Sequence, residues 1–270
     1  MIVILVFQIS NYETNVKDME ITLEQLYKGK STKINDKDFL ATKAYTEGFV
    51  NKMKPFTQNF RVEVVPPKQM TITGNETDIT YNKVLIQAIM PKQVGDYNEI
   101  IALTYSLDTR TPVYKIYRAY YNNNTGNTMC FNHSWLVVRE LKPLVGISVD
   151  IIDTLIKLPD DTEIRMKDMK NKVLSTKDDQ RTSRIGDYIE KCFFAQWKNP
   201  VGSKISISPL NLVKVYQSVY IDQNSDFYVG DKDSTIMNMF EAMTQFIASD
   251  KKDIGNKVEK TFLVNQLMGL

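Results

Sequence analysis

The densest group of chemically capable side chains lies between residues 114 and 135, in the sequence YKIYRAYYNNNTGNTMCFNHSW. It holds four tyrosines, two basic side chains, the only histidine of the chain and one of its two cysteines, arranged around an Asn-rich turn. Tyrosine rings stack on nucleobases and basic groups neutralise phosphates, so the stretch has the composition of a surface for single-stranded nucleic acid. Tyrosines also favour strands because they pack well there, so a purely structural role stays open.

Side chains alternate between the two faces of a strand, and residues 112–121 have the pattern of one. One face would carry Tyr114, Arg118 and Tyr120, and the other would carry Lys115 and Tyr117. We predict a nucleic-acid surface on this strand and the one after it, provided that some rings and the guanidinium face solvent. Its predicted residues are Arg110, Tyr114, Lys115, Tyr117, Arg118, Tyr120, His133, Trp135 and Arg139.

The net charge of the chain adds little attraction between this surface and nucleic acid. The formal net charge is +2, so no global field draws the chain onto a polyanion or an anionic membrane. Residues 101–146 carry five basic side chains against two acidic ones, a local excess of three. Contact with nucleic acid would therefore depend on a local patch.

Cys130 and His133 are the residues from which a nucleophile and its base could be made. A spacing of three on a strand places two side chains on opposite faces, so we predict a buried thiol beside a partly exposed imidazole instead of a catalytic pair. Two cysteines cannot build a disulfide framework or a four-thiolate zinc site, which favours a reducing interior. No glycine-rich phosphate loop is present in the sequence, and we predict no cofactor and no metal.

Acidic clusters provide the remaining candidates for chemistry. The segment that starts at Asp222 resembles the opening of a calcium loop, but Phe227 and Asp233 occupy the positions that require glycine and glutamate, which favours a solvated loop. Three other clusters could hold Mg²⁺ in a nuclease, although no suitably placed lysine completes them: Asp160, Asp161 and Glu163; Asp178 and Asp179; Asp231 and Asp233. The balance of these patterns is against an enzyme.

The elements that would position these residues separate into two halves. Phe60, Val62 and Val64 alternate with polar residues, and we predict strands at 60–64, 70–73, 79–90, 99–107, 112–121 and 129–141, with one helix at 41–53. Beyond Pro143 the apolar period becomes 3.6, and we predict helices at 149–156, 183–193, 208–220, 234–249 and 256–268. The polar stretch 157–184 is expected to be an exposed connection or hinge.

Segregated strands and helices favour the α+β class, with a mostly antiparallel N-terminal sheet carrying one helix and a helical C-terminal half. We predict a β-rich region at 1–146 and a helical region at 147–270, packed together as one domain. The apolar start MIVILVF is too short to span a bilayer and is predicted to be a buried strand, although translation could also start at Met19. We therefore expect no membrane association and a cytoplasmic location.

The sequence LDTRTPVYKIYR at 107–118, followed by Cys130-Phe-Asn132 and a helical second half containing Leu210-Asn-Leu-Val, resembles a family of phage- and plasmid-encoded proteins with a domain of unknown function. In that family a strand ending in arginine precedes a Cys-x-Asn element, and the matching positions here are Arg118, Cys130 and Asn132. The chain departs from the pattern in its Asn-rich insertion and its tyrosine cluster. The resemblance implies a phage or mobile-element origin, a location inside the host cell and a role in DNA replication or recombination, and it implies no known catalysis.

Three functional hypotheses follow from the sequence. The first is a non-catalytic protein that binds single-stranded nucleic acid. The second is a virion component or a host-interaction protein, in which Met237, Met239 and Met243 adapt to a protein partner or to a second copy of the chain. The third is a metal-dependent nuclease that acts through the acidic clusters.

Overall fold

The computed structural model describes residues 19–21, 23–28, 33–34, 37–38, 41–65, 83–106, 113–141, 147–175, 187–188, 190–192, 194–198, 204–230, 232–248 and 251–270. Several predictions from the sequence fall outside these residues. They concern the strands at 1–7 and 70–73, the start of the helix at 183–193, the acidic residues Asp178, Asp179 and Asp231, and Arg110.

A seven-stranded antiparallel sheet is the centre of the described structure. Its strands are β1 (Met19–Ile21), β4 (Phe60–Val65), β5 (Lys83–Val94), β6 (Tyr97–Ser106), β7 (Val113–Asn122), β8 (Thr128–Met129) and β9 (Leu136–Glu140). The order is β1-β4-β5-β6-β7-β8, and β9 pairs with β7 beside β8. Strand β7 therefore has a neighbour along both of its edges and lies in the interior of the sheet.

The other strands form small two-stranded pairs, β2 (Lys33–Ile34) with β3 (Lys37–Asp38), β10 (Val173–Ser175) with β13 (Ser234–Thr235), and β11 (Gln196–Lys198) with β12 (Lys204–Ser206). The α-helices are α1 (Leu23–Lys28), α2 (Ala41–Met53), α3 (Val149–Lys157), α4 (Thr162–Asn171), α5 (Pro209–Tyr220), α6 (Ile236–Met243) and α7 (Lys257–Met268). A π-helical segment, Thr244–Ala248, follows α6, and two 3-10 segments occupy His133–Trp135 and Lys251–Asn256.

Hydrophobic cores lie on both faces of the sheet. On one face, which we call the α2/α3 face, side chains such as Ile86 and Leu103 pack with Phe49 of α2 and Leu155 of α3. On the opposite face, which we call the C-terminal face, strand side chains pack against α6 and α7. The sheet is the middle of three layers, so alternate residues of each central strand enter different cores.

The predicted α+β class, with a mostly antiparallel N-terminal sheet and a helical C-terminal part, is confirmed. The predicted strand at 129–141 is interrupted, because β8 and β9 both pair with β7 and a 3-10 turn separates them. The polar stretch expected to be a hinge contains α4 and β10. Only Thr162, Met166 and Met169 of α4 are buried, so the helix carries too weak an apolar stripe to be recognised.

Candidate functional site

The strand that carries the tyrosine and basic cluster is buried along its whole length. Tyr120 is 0% exposed, Tyr117 is 1% exposed, and Lys115 and Arg118 are each 5% exposed. Tyr114, at 6%, enters the α2/α3 core, where its ring centroid lies 5.0 Å from that of Tyr45. Because helices cover both sides of the sheet, neither face of β7 is open to a ligand.

Arg118 is the centre of a buried ionic network on the α2/α3 face. Its Nε donates to Glu99 Oε1 at 2.5 Å, and its Nη2 donates to Asp160 Oδ2 at 3.0 Å. Its Nη1 donates to the carbonyl of Leu158 at 2.8 Å, and the guanidinium stacks 4.7 Å from the centroid of the Trp135 ring. These contacts hold the connection between α3 and α4 against β7.

Asp160 accepts two further bonds on the same oxygen, from Lys92 Nζ at 2.5 Å and from the Tyr120 hydroxyl at 2.6 Å. Its other oxygen accepts from the backbone N–H of Thr162 at 3.1 Å. Burial alone would raise the pKa of this carboxyl, but the hydrogen bonds from Lys92, Tyr120 and Thr162 lower it to about 2. The network contains two cations and two carboxylates, so its net charge is zero.

Lys115 makes an equally complete set of bonds on the C-terminal face. Its ammonium donates to the carbonyl of Gly255 at 2.6 Å and to Asn256 Oδ1 at 2.7 Å, and it lies 2.5 Å from Glu259 Oε1. Nearby, Lys257 Nζ lies 3.2 Å from Glu63 Oε2. Both ion pairs join the sheet to the first turn of α7, so these charges link the two layers.

The expectation that β7 shows its rings and guanidinium to solvent is therefore wrong. Tyr114, Lys115, Tyr117, Arg118 and Tyr120 are interior groups, because two helical layers cover the sheet and the cations are bonded within the protein. Trp135, which was predicted to belong to the same surface, is 1% exposed. His133 and Arg139 are exposed, and Arg110 lies outside the described residues.

Of the three residues that match the Arg…Cys-x-Asn pattern, Arg118 and Cys130 are buried and Asn132 is half-buried, and the backbone carbonyls of Arg118 and Asn132 both lie near the Cys130 thiol. The Cys130 thiol donates to the carbonyls of Arg118 at 3.4 Å and Asn132 at 3.6 Å, and burial raises its pKa. The Asn132 side chain accepts from the N–H and the hydroxyl of Ser134, which caps the 3-10 turn. The motif therefore fixes the link between β8 and β9.

His133 lies on the surface side of this link, and its ring meets that of Phe262 edge-on at 4.4 Å. Partial burial lowers the pKa of the imidazole. Cys130 is 0% exposed, so the predicted arrangement of a buried thiol and a partly exposed imidazole is confirmed. A thiol held protonated inside the protein is poorly suited to nucleophilic chemistry, which requires the thiolate.

Carboxylates of the predicted acidic clusters make ion pairs and hydrogen bonds with neighbouring groups of the protein. Asp160 is engaged by the network described above, and Asp161 pairs with Arg165 at 2.7 Å on the exposed side of α4. The carboxylate of Asp222 accepts from the N–H of Asn224 in an exposed turn, as expected for a solvated loop. Among the described residues no group of three or more His, Cys, Asp or Glu side chains is arranged to hold a metal ion.

A different surface combines an exposed ring with basic groups. Phe194 is 80% exposed, the highest value among the large apolar side chains of the described residues. It lies in the turn between a short helical segment that contains Lys191 and the hairpin β11–β12, and its backbone N–H donates to the Lys191 carbonyl at 3.1 Å. In the hairpin, Lys198 and Lys204 face each other directly across the ladder, and both are exposed.

Like charges placed directly opposite on two strands repel each other, so this pair is stabilised when an anion lies between the two lysines. We call Lys191, Phe194, Lys198 and Lys204 the Phe194 surface. The sequence around it contains no Asp or Glu from Lys191 to Ile221, a run that carries four lysines. This acid-free run is the signal in the sequence that indicates the surface, and it is not among the predicted site residues.

Comparisons with known proteins do not narrow the interpretation: no family model, no curated protein and no solved structure matches the chain. In the part of the chain that the structure describes, no helix is both long enough and apolar enough to cross a bilayer.

Proposed function

We propose that this chain is a non-catalytic protein that binds single-stranded nucleic acid through the Phe194 surface. The observation that carries the proposal is a phenylalanine ring that is 80% exposed, in a turn that lies three residues after the exposed Lys191 and four residues before Lys198, which faces Lys204 across the hairpin. A base can stack on the ring, and the lysines can contact the phosphates on either side of that base. A phage or mobile-element origin and a role in DNA replication or recombination remain part of the proposal, on the basis of the resemblance described above.

The expected energetics follow from these two kinds of contact. Stacking of a base on an aromatic ring contributes roughly 1–3 kcal/mol and depends little on base identity. Each phosphate neutralised by a lysine releases counterions, with a contribution of about −0.7 to the slope of log K against log salt for single strands. Three lysines predict a slope of about −2, and therefore binding that is clear at low salt and weak at high salt.

The test is a fluorescence anisotropy titration of a labelled mixed-sequence single strand at low salt. Phe194→Ala is expected to weaken binding about 5- to 150-fold, the range that corresponds to the loss of one stacked base. Lys198→Gln is expected to weaken binding and to reduce the salt slope by about 0.7. Neither substitution should change the stability of the fold, because both side chains are exposed.

Matched controls exist on another part of the surface. Phe56 is 39% exposed and Lys54 is exposed in the turn after α2, so Phe56→Ala and Lys54→Gln make the same chemical changes elsewhere. The proposal requires both control variants to bind as the wild type does. Equal weakening by the two sets of variants, or no binding by the wild type at low salt, would contradict it.

A further inference from the structure

On the C-terminal face of the sheet, the side chains of Gln87, Thr104 and Tyr117 are buried and have polar atoms with no hydrogen-bond partner in the protein. The Gln87 carboxamide is 0% exposed, and the hydroxyls of Thr104 and Tyr117 belong to residues that are each 1% exposed. Both the nitrogen and the oxygen of Gln87 lack a protein partner. A buried polar group without a partner destabilises a fold by about 1–3 kcal/mol, so three such groups in one place require an explanation.

The strand register places the three groups around one small residue. Gln87 of β5 and Tyr117 of β7 are both direct partners of Ala102 in β6, one on each side. Thr104 lies two residues further along β6, so it is diagonal to both and on the same face. Strands are about 4.8 Å apart, so the backbones of Gln87 and Tyr117 are separated by about 10 Å, and Ala102 is the sheet residue between them.

The charged groups nearby already have their partners. Lys115 has three acceptors, and Lys257 pairs with Glu63. The 3-10 segment Lys251–Asn256 packs against β4, β5 and β6. A small, uncharged species that can both donate and accept would satisfy Gln87, Thr104 and Tyr117. Gln87 offers two donors and an acceptor oxygen, and each hydroxyl offers one donor and an acceptor.

We propose that ordered water molecules bind above Ala102 and link Gln87, Thr104 and Tyr117 into one buried hydrogen-bonded cluster. Water fits because it is the smallest molecule that satisfies donors and acceptors together, and buried water typically makes about three hydrogen bonds to groups of this kind. The site is separate from the Phe194 surface and does not depend on nucleic-acid binding. It makes the layer between the sheet and the C-terminal segment a hydrated interior.

Two conservative variants test the proposal through stability. Gln87→Met and Tyr117→Phe remove the polar atoms with little change in volume. If water satisfies these atoms, each variant raises the unfolding equilibrium constant roughly two- to tenfold in urea denaturation. In the double variant, the unfolding equilibrium constant should rise by less than the product of the two single-variant increases, because both side chains bind the same water cluster.

The control is a second double variant, which combines Gln87→Met with Thr46→Val. Thr46 lies on the α2/α3 face, where its hydroxyl contacts that of Tyr105 at 3.4 Å, so its effect should combine with that of Gln87→Met multiplicatively, within about twofold. If Gln87→Met and Tyr117→Phe instead stabilise the protein, the groups are unsatisfied and the proposal is wrong.

A high-resolution crystal structure of the wild-type chain gives the direct test. Density for separate water molecules within hydrogen-bonding distance of the Gln87 carboxamide and the Tyr117 hydroxyl would support the proposal. Side chains packed together without intervening density, or density for a larger organic molecule, would overturn it.

Discussion

Arg118 illustrates what a residue type can and cannot indicate. A guanidinium among tyrosines has the same composition whether it faces nucleic acid or an interior carboxylate. Here it donates to Glu99 and Asp160, and it stacks on Trp135. The carboxylates that pair with Arg118 come from positions 19 and 42 residues away in the chain, so no local pattern could have indicated this outcome.

Replacing Arg118 with methionine should therefore affect the fold. Arg118→Met leaves Glu99 buried without its cation, and loss of one partner of a buried pair costs about 3–5 kcal/mol. Equilibrium urea unfolding should show this loss in the free energy of unfolding. Arg139→Met, at an exposed position on the neighbouring strand, should change it by less than about 0.5 kcal/mol. Equal effects of the two substitutions would contradict the buried network.

The same network predicts a dependence of stability on pH. Asp160 has a pKa of about 2 in the folded chain against an ordinary value of 3.8. The unfolded chain therefore binds a proton at higher pH than the folded chain does, so this stabilisation is complete above about pH 4 and is lost as the pH falls towards 2. Unfolding free energies measured by urea across this range should fall less steeply in Asp160→Asn than in the wild type.

Asp161→Asn provides the matched control for this pH series. Asp161 is exposed and pairs with Arg165 on the outside of α4, so its substitution should leave the acid dependence of the unfolding free energy close to that of the wild type. If Asp160→Asn keeps the full acid dependence, the assignment of the shifted carboxyl is wrong.

Among the helices and strands, long periodic segments were predicted well from the sequence and short ones poorly. The helices α2, α3, α5 and α7 lie within one or two residues of their predicted limits, because each has a clear apolar stripe or an end signal. The short strands β10 to β13 were not predicted. A strand of two or three residues is stabilised by its partner, and β10 pairs with β13, about 60 residues away in the chain.

The N-termini of α5 and α6 differ in their side-chain caps, and this difference can be tested. The Thr235 hydroxyl accepts from the N–H of Asn238 at 3.2 Å, and the Asn238 side chain accepts from the N–H of Thr235, so α6 begins with a capping box. Thr235→Ala should lower the free energy of unfolding by about 1 kcal/mol. Ser208 stands at the same position of α5 but makes no side-chain cap bond, so Ser208→Ala should have little effect in the same assay. A larger loss for Ser208→Ala than for Thr235→Ala would contradict the capping assignment.

The three-layer arrangement determines which surfaces of the protein are exposed. The α+β class was predictable from segregated periodicities, but the coverage of both sheet faces was not inferred. A signal was present, because the successive apolar residues Ile100, Ile101, Ala102 and Leu103 are typical of a strand buried on both sides. A sheet that is covered on both faces places β7, which has neighbours along both edges, in the interior of the protein.

We propose that nucleic acid binds at the Phe194 surface, whereas the tyrosine-rich strand β7 lies in the interior. Ultraviolet crosslinking of the wild-type chain to a single-stranded oligonucleotide, followed by mass spectrometric mapping of the linked peptide, tests it most directly. Crosslinks are expected at Phe194 or elsewhere in residues 191–206. Crosslinks confined to the segment that contains His133 and Arg139, or no crosslink at low salt, would contradict it.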